Sequence, residues 1–116
     1  MTSLDISTNN ISKMDMKLSD IFDYADKNIS HTRWSLGRAS KNQACAIGAV
    51  AFVLSGGKTT YSHNLKKIDP TIRERYRTLL REFRERDKYH LNLVFYNDFL
   101  FYSWKKLADK CRSLGL

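Results

Sequence analysis

The chain has 116 residues, of which 42% are hydrophobic and 28% are charged, and its formal net charge is +8 at pH 7. These values are ordinary for one globular domain, and a chain of this length can bury one core and little more. A large closed catalytic cavity would compete with that core for apolar residues, so composition argues against an elaborate enzyme.

The positive charge is unevenly distributed along the chain. Residues 1–26 carry five Asp and two Lys, a net charge of −3, so residues 27–116 carry +11. A basic body of this kind suits a nucleic acid, an acidic protein or an anionic surface as partner, and it is equally compatible with mere solubility.

Cysteine usage and hydropathy indicate the compartment. Cys45 and Cys111 form no Cys-x-x-Cys pair and have no His cluster beside them, so we expect neither a metal nor a cofactor. The N-terminus lacks the basic start and apolar run of a signal peptide. The longest apolar run, 44–54, is too short for a bilayer span of ~20 residues. We therefore expect a reducing, cytoplasmic location and no membrane partner.

The first part of the chain predicts an arm and then a helix. Residues 1–16 are polar and lack a sustained apolar period, which predicts a flexible arm before a single helical domain at 17–116. Ser19 is a candidate N-cap for the first helix, with Asp20 and Asp23 in its first turn, where negative charge suits the helix dipole.

A polar, basic connection follows at 30–43. Its cations and its tryptophan together suit phosphate contact and base stacking. The alternative is that Trp34 packs inward and the charges are solvated. The candidate binding residues of this connection are Arg33, Trp34, Arg38 and Lys41, with His31 nearby.

The second predicted helix, 44–54, is apolar on every side and rich in alanine. Such an element belongs at the centre of a fold, and Cys45 within it is expected to be buried rather than nucleophilic. Ser55-Gly56-Gly57 should end the helix. The segment 55–60 lacks the glycine spacing of a phosphate-binding loop.

After a predicted loop at 58–68, the clearest helix of the chain begins with Asp69 as N-cap and Pro70 at its first position. Six arginines lie between Asp69 and Lys88, and acidic residues interleave them, which favours a solvated face over a DNA footprint. Four arginines of the outward face complete the candidate basic surface: Arg73, Arg77, Arg81 and Arg84.

The C-terminal part holds two further elements. Residues 89–96 suit a helix or a strand, and the helical neighbours favour a helix. The last helix presents Trp104, Leu107, Ala108 and Cys111 on one face, with Asp98 and Ser103 both suited to its N-cap. The sequence thus predicts an all-α domain of four to five helices around the central apolar helix 44–54.

Three short motifs carry a resemblance. They are Trp34 in the loop, Cys45-Ala46-Ile47-Gly48-Ala49, and Asn97-Asp98 followed by Ser103 at a capping position. In this order and spacing, over roughly residues 18–114, the chain resembles an uncharacterised family of short bacterial and phage proteins, a domain of unknown function.

The chain also departs from the pattern of that family. Tyr96 stands where the family has a Trp before Asn-Asp, and the turn after Asp98 contains no Pro. The resemblance implies a small helical fold, a packed Trp34, a structural role for Asn97, Asp98 and Ser103, and a gene carried by a phage or mobile element. It implies no activity.

Three functions are compatible with these residues. The first is a non-catalytic binding protein whose basic surface engages an acidic host protein or a nucleic acid. The second is a small enzyme that uses Asp98 with His90 or His31. The third is a subunit of a larger assembly, which would expose aromatic side chains among Phe99, Phe101 and Tyr102.

Overall fold

A computed structural model of the chain describes residues 15–33 and 43–116. These ranges form six α-helices, one turn of 3-10 helix and a pair of short strands, so the prediction of a small all-α domain is confirmed. The elements are α1 Leu18–Asn28, β1 Ser30–His31, β2 Gln43–Ala44, α2 Ala46–Leu54, the 3-10 turn Ser62–Asn64, α3 Leu65–Ile68, α4 Pro70–Arg86, α5 Leu93–Asp98 and α6 Trp104–Ser113.

Helix α2 lies at the centre, as its uniform apolarity predicts. It contacts α1, α4 and α5, while α1 packs most extensively against α6. Small side chains on α2 allow these neighbours to approach closely, and its residues Ala46, Ala49, Val50, Val53 and Leu54 are completely buried. No helix within the two described ranges is long and apolar enough to cross a bilayer.

The start of α2 differs from the sequence prediction. The helix begins at Ala46 and not at position 44, because Gln43 and Ala44 pair in parallel with Ser30 and His31. Backbone pairing to a distant segment thus takes Ala44, which local apolarity assigns to the helix, and Cys45 becomes the N-cap. The predicted connection at 30–43 therefore starts and ends in strands, and its residues 34–42 lie outside the described ranges.

The start of α1 also differs. Lys17, not Ser19, is the N-cap, and the Lys17 amide donates to the Asp20 carboxylate at 3.3 Å. Ser19 is buried, and its amide and hydroxyl both donate to the Leu116 carbonyl, at 3.2 and 3.3 Å. A tertiary contact therefore replaces the local cap that the sequence suggests. The predicted arm falls almost wholly on 1–14, outside the described residues.

The segment 58–68 is not a simple loop, since it contains the 3-10 turn and α3. Leu65 is completely buried and anchors α3 on the core. The hydroxyl of Thr59 accepts the Tyr61 amide at 3.0 Å and the Asn64 side-chain amide at 3.1 Å, which fixes the turn. Such local side-chain bonds leave little trace in hydropathy periodicity.

The caps of the later helices follow from sequence. The Asp69 carboxylate accepts from the Thr71 amide at 2.9 Å and the Thr71 hydroxyl at 2.7 Å, and these bonds lower the pKa of Asp69. Ser103 rather than Asp98 caps α6, and its hydroxyl accepts the Lys106 amide at 3.1 Å. The preference for a helix near 89–96 is confirmed by α5, which begins at Leu93.

A buried carboxylate joins α4, α5 and α6. Asp87 accepts from the Tyr96 hydroxyl at 2.6 Å, the Lys110 ammonium at 2.9 Å and the Leu91 amide at 3.0 Å. Burial alone would raise the pKa of Asp87, but the hydrogen bonds from Tyr96, Lys110 and Leu91 outweigh it and lower the pKa to about 2. Nothing in the local sequence separates Asp87 from the exposed acids of α4.

Replacing Asp87 by Ala should lower the free energy of unfolding by about 3 kcal/mol, because Lys110 loses its partner and the buried Tyr96 hydroxyl loses its acceptor. Urea denaturation at pH 7 measures this loss. The exposed Glu85 of α4 provides the matched control, since Glu85→Ala should cost no more than about 0.5 kcal/mol. Equal losses for the two variants would contradict the role of Asp87.

Candidate anion-binding surface

The six arginines of α4 divide into two groups around the helix axis. At about 100° per residue, Arg73, Arg77, Arg81 and Arg84 fall within an arc of about 80°, which we call the arginine row. The acids Glu74, Glu82 and Glu85 occupy the next arc, opposite the buried face, and Arg75 and Arg86 lie beyond them. Positive and negative side chains that interleave in sequence are therefore segregated on the helix.

Arg75 and Arg86 hold neighbouring backbone. The Arg75 guanidinium donates to the Met16 carbonyl at 3.2 Å. The Arg86 guanidinium donates to the carbonyls of Leu114 at 3.0 Å and Gly115 at 3.3 Å. These two cations stabilise the segments before α1 and after α6, so their guanidinium groups are already engaged by the protein.

The arginine row has no such partners. Arg77, Arg81 and Arg84 are exposed and Arg73 is half-buried. Among the described residues, none of the four forms an ion pair or donates a hydrogen bond to another side chain or carbonyl. The acids that would be expected to neutralise such a row face a different direction. The row can therefore meet an external anion without first breaking an internal ion pair.

The candidate binding residues in the connection between β1 and β2 differ from the arginine row. Arg33 donates to the carbonyls of Asn97 at 3.1 Å and Tyr102 at 3.4 Å, and its guanidinium lies 5.2 Å from the Phe101 ring centroid. Arg33 is thus engaged by the protein itself. Trp34, Arg38 and Lys41 lie outside the described residues, so their roles stay predictions.

Asn97 is the most densely bonded side chain near β1 and is completely buried. Its carboxamide oxygen accepts the Ala46 amide at 3.0 Å, at the start of α2, and it also bonds the His31 ring through Nε2. Its amide nitrogen donates to the Thr32 carbonyl at 3.1 Å and to the Asp98 carboxylate at 2.7 Å. Because a carboxamide oxygen carries no hydrogen and can only accept, His31 Nε2 must carry the donated proton.

The imidazole of His31 is held by stacking as well. Its ring lies 3.7 Å from that of Trp104 at an interplanar angle of 8°, and the Trp104 indole donates to the Ile29 carbonyl at 2.8 Å. Partial burial lowers the pKa of His31 below its ordinary value, against the opposing effect of the Asn97 hydrogen bond. A neutral imidazole fits this environment.

This geometry gives no support to the enzyme hypothesis. A catalytic Asp–His pair requires a direct hydrogen bond between carboxylate and imidazole, whereas the Asn97 carboxamide lies between Asp98 and His31. His90 is exposed, in the turn after α4, and its amide donates to the Asp87 carbonyl. The Asn97 side chain ties the backbone of Thr32 and Ala46 together, and Asp98 accepts from it.

Both thiols are buried, and burial raises the pKa of Cys111 to about 12. Within residues 15–33 and 43–116, no three His, Cys, Asp or Glu side chains gather as metal ligands would. The amides of Lys58 and Thr59 donate to the Ser55 hydroxyl at 3.1 Å each, so the segment 55–60 does not present them to a phosphate.

An apolar surface patch lies between α5 and α6. Phe99 is 54% exposed, Leu100 44% and Phe101 61%, while Tyr102 is half-buried. The patch has the exposed Phe99 and Phe101 that a subunit of a larger assembly would need. Phe99 stacks on Phe95 with ring centroids 5.2 Å apart, so the patch is partly ordered by its own aromatic contacts. Assembly itself stays a prediction.

Comparison with protein-family models, curated proteins and solved structures finds no match to this chain. The resemblance to the uncharacterised phage and bacterial family therefore stays a prediction.

The environment of His31 predicts a pH dependence of stability. Because its pKa is lowered on folding, the unfolded state binds more protons below pH 6.5, and the free energy of unfolding should fall as the pH drops from 7 to 5. Replacing His31 by Gln should reduce this fall in the free energy of unfolding between pH 7 and 5. The free energy of unfolding should fall again between pH 4 and 2, where Asp87 is protonated, and this second fall should persist in His31→Gln. Urea denaturation at each pH measures both falls. If the fall between pH 7 and 5 is unchanged in His31→Gln, His31 is not its cause.

Proposed function

We propose that this chain is a non-catalytic binding protein whose arginine row on α4 contacts the phosphates of a nucleic acid. The observation that carries this proposal is the alignment of Arg73, Arg77, Arg81 and Arg84 on one flank of the helix without internal ion pairs. The charge of +11 on residues 27–116 would add long-range attraction.

The chemistry of the row favours phosphate over a diffuse negative surface. Guanidinium groups bind phosphate oxygens in a bidentate geometry that lysine cannot reproduce. Successive members of the row at i and i+4 are about 6 Å apart along the axis, and the whole row spans about 16 Å. A chain of regularly spaced phosphates offers a matching series of charges, whereas a single acidic side chain would engage one arginine.

The wider surroundings are consistent with this reading. Lys66 and Lys67 are exposed on α3, which packs against the start of α4, so further positive charge lies next to the row. We further propose that the protein acts inside a cell and that its gene belongs to a phage or mobile element. An acidic host protein is the competing partner, and the test below separates the two.

The salt dependence of binding tests the proposal. If four phosphates are contacted, the logarithm of the association constant for duplex DNA should fall with the logarithm of salt concentration with a slope of roughly −3 to −4. The double variant Arg77→Gln with Arg81→Gln should reduce the magnitude of this slope by roughly 2. Fluorescence anisotropy with labelled duplex DNA, single-stranded DNA and RNA measures the slope.

A charge-matched control separates the row from net charge. Lys27 on α1 and Lys105 on α6 are both exposed, and Lys27→Gln with Lys105→Gln removes the same charge from another surface. This control should keep at least most of the wild-type slope. Equal losses in the two double variants, or no salt-sensitive binding to any of the three nucleic acids, would overturn the proposal and favour the acidic protein partner.

A further inference from the structure

A pocket opens at the N-terminal end of the arginine row. It has a volume of about 200 Å³ and is lined by Ser62, His63, Arg73, Tyr76 and Arg77. Arg73 and Arg77 come from successive turns of α4, whereas Ser62 and His63 come from the 3-10 turn. Two separate elements therefore supply polar groups to one concave site.

The wall formed by the 3-10 turn is fixed before any ligand binds. The Thr59 hydroxyl accepts from the Tyr61 amide and the Asn64 side chain, and the Ser55 hydroxyl accepts from the Thr59 amide. The His63 ring packs against Tyr61 with centroids 4.7 Å apart. A pre-organised wall reduces the entropy that a ligand would otherwise have to offset.

The floor of the pocket is the buried phenol of Tyr76. Burial raises the pKa of the Tyr76 phenol, against the opposing effect of its hydrogen bond with the Ser62 hydroxyl. Because one hydroxyl donates to the other, one hydroxyl proton remains for a ligand, beside two guanidinium groups. This combination suits an anion that has several oxygens to accept hydrogen bonds.

No carboxylate lines the pocket. The nearest acid on the N-terminal side, Asp69, bonds the amide and hydroxyl of Thr71 and forms no ion pair with Arg73 or Arg77 among the described residues. Glu74 faces the acidic arc of the helix and is exposed. Within the described part of the chain, the two arginines of the pocket, Arg73 and Arg77, therefore have no ion-pair partner, and they lie in a concave site, where the field of nearby cations is concentrated.

The size of the pocket limits its ligand. Pockets for drug-sized molecules occupy roughly 300–1,000 Å³, so a site of about 200 Å³ holds a group rather than a whole nucleotide. We propose that this pocket binds a phosphate monoester, the doubly charged terminal phosphate of a nucleic acid strand, and that the rest of the arginine row follows the strand from that end. This inference rests on the proposed function and specifies the part of the nucleic acid that the site selects.

Two titrations test the proposal. In the first, inorganic phosphate is added while the guanidinium Nε–H resonances of Arg73 and Arg77 are followed by NMR, and saturable shifts are expected at both. In the second, a single-stranded oligonucleotide is compared with and without a 5′-phosphate, and a second pair with and without a 3′-phosphate. One of the phosphorylated ends should bind roughly tenfold more tightly than its hydroxyl counterpart.

Matched variants locate the effect. Arg73→Gln should weaken phosphate binding roughly tenfold and remove the preference for a phosphorylated end. Arg84→Gln removes the same charge from the same row but lies outside the pocket, so the preference should persist. Tyr76→Phe should reduce the preference while keeping the packed ring, and unchanged thermal unfolding checks that each variant folds.

The outcomes separate this inference from the proposed function. In one outcome, oligonucleotides bind with the expected salt dependence, but inorganic phosphate causes no saturable shift and phosphorylated and hydroxyl ends bind alike. The pocket proposal is then wrong, while the proposed binding of nucleic acid by the arginine row is supported. In another outcome, inorganic phosphate saturates the site but no oligonucleotide binds. The pocket is then a site for free phosphate, and both the terminal-phosphate proposal and the proposed nucleic-acid binding are overturned. An equal loss in Arg73→Gln and Arg84→Gln would also overturn the pocket.

Discussion

The described part of the structure depends on one buried carboxamide. Asn97 has two acceptor sites and two donor hydrogens, and each of the four is used, by Ala46, His31, Thr32 and Asp98. Through these bonds one side chain of α5 fixes the start of α2, the end of β1 and the ring of His31. An uncompensated buried amide would be costly, so these elements must assemble together and in one register.

Polar side chains of the described residues divide into those that bond the protein itself and those that can meet an external ligand. Around Asn97 the cations and the imidazole are occupied by protein carbonyls and rings, and Arg33 is the clearest case. On α4 the division runs around the helix, because Arg75 and Arg86 bind backbone on one flank while the arginine row faces outward on the other. Function is therefore proposed where charge remains uncompensated and not where polar residues are densest.

Sequence predicts the parts of this fold that local chemistry determines. The Asp69-Pro70 start of α4, the Ser103 cap of α6 and the central position of α2 all follow from residue type and spacing. Tertiary contacts determine what was missed. Ser19 leaves its expected capping role to bond Leu116, and Asp87 is buried although its neighbours in sequence are exposed. The pocket was also missed, because the 3-10 turn that forms one wall has no hydropathy signal. The arginine row was found, but its separation from the acids appears only when residues are placed around the helix.

The backbone bonds of Arg75 and Arg86 have a mechanical consequence. They hold α4 at two points, to Met16 from its second turn and to Leu114 and Gly115 from its last residue, and so resist rotation of the helix about its own axis. The backbone positions of the four arginines of the row are therefore held at a set spacing, while their long, unpaired side chains keep rotamer freedom. When a polyanion docks, the helix itself does not adjust, so the match must come from the arginine side chains and from the polyanion, and a flexible single strand should adapt more readily than a stiff duplex.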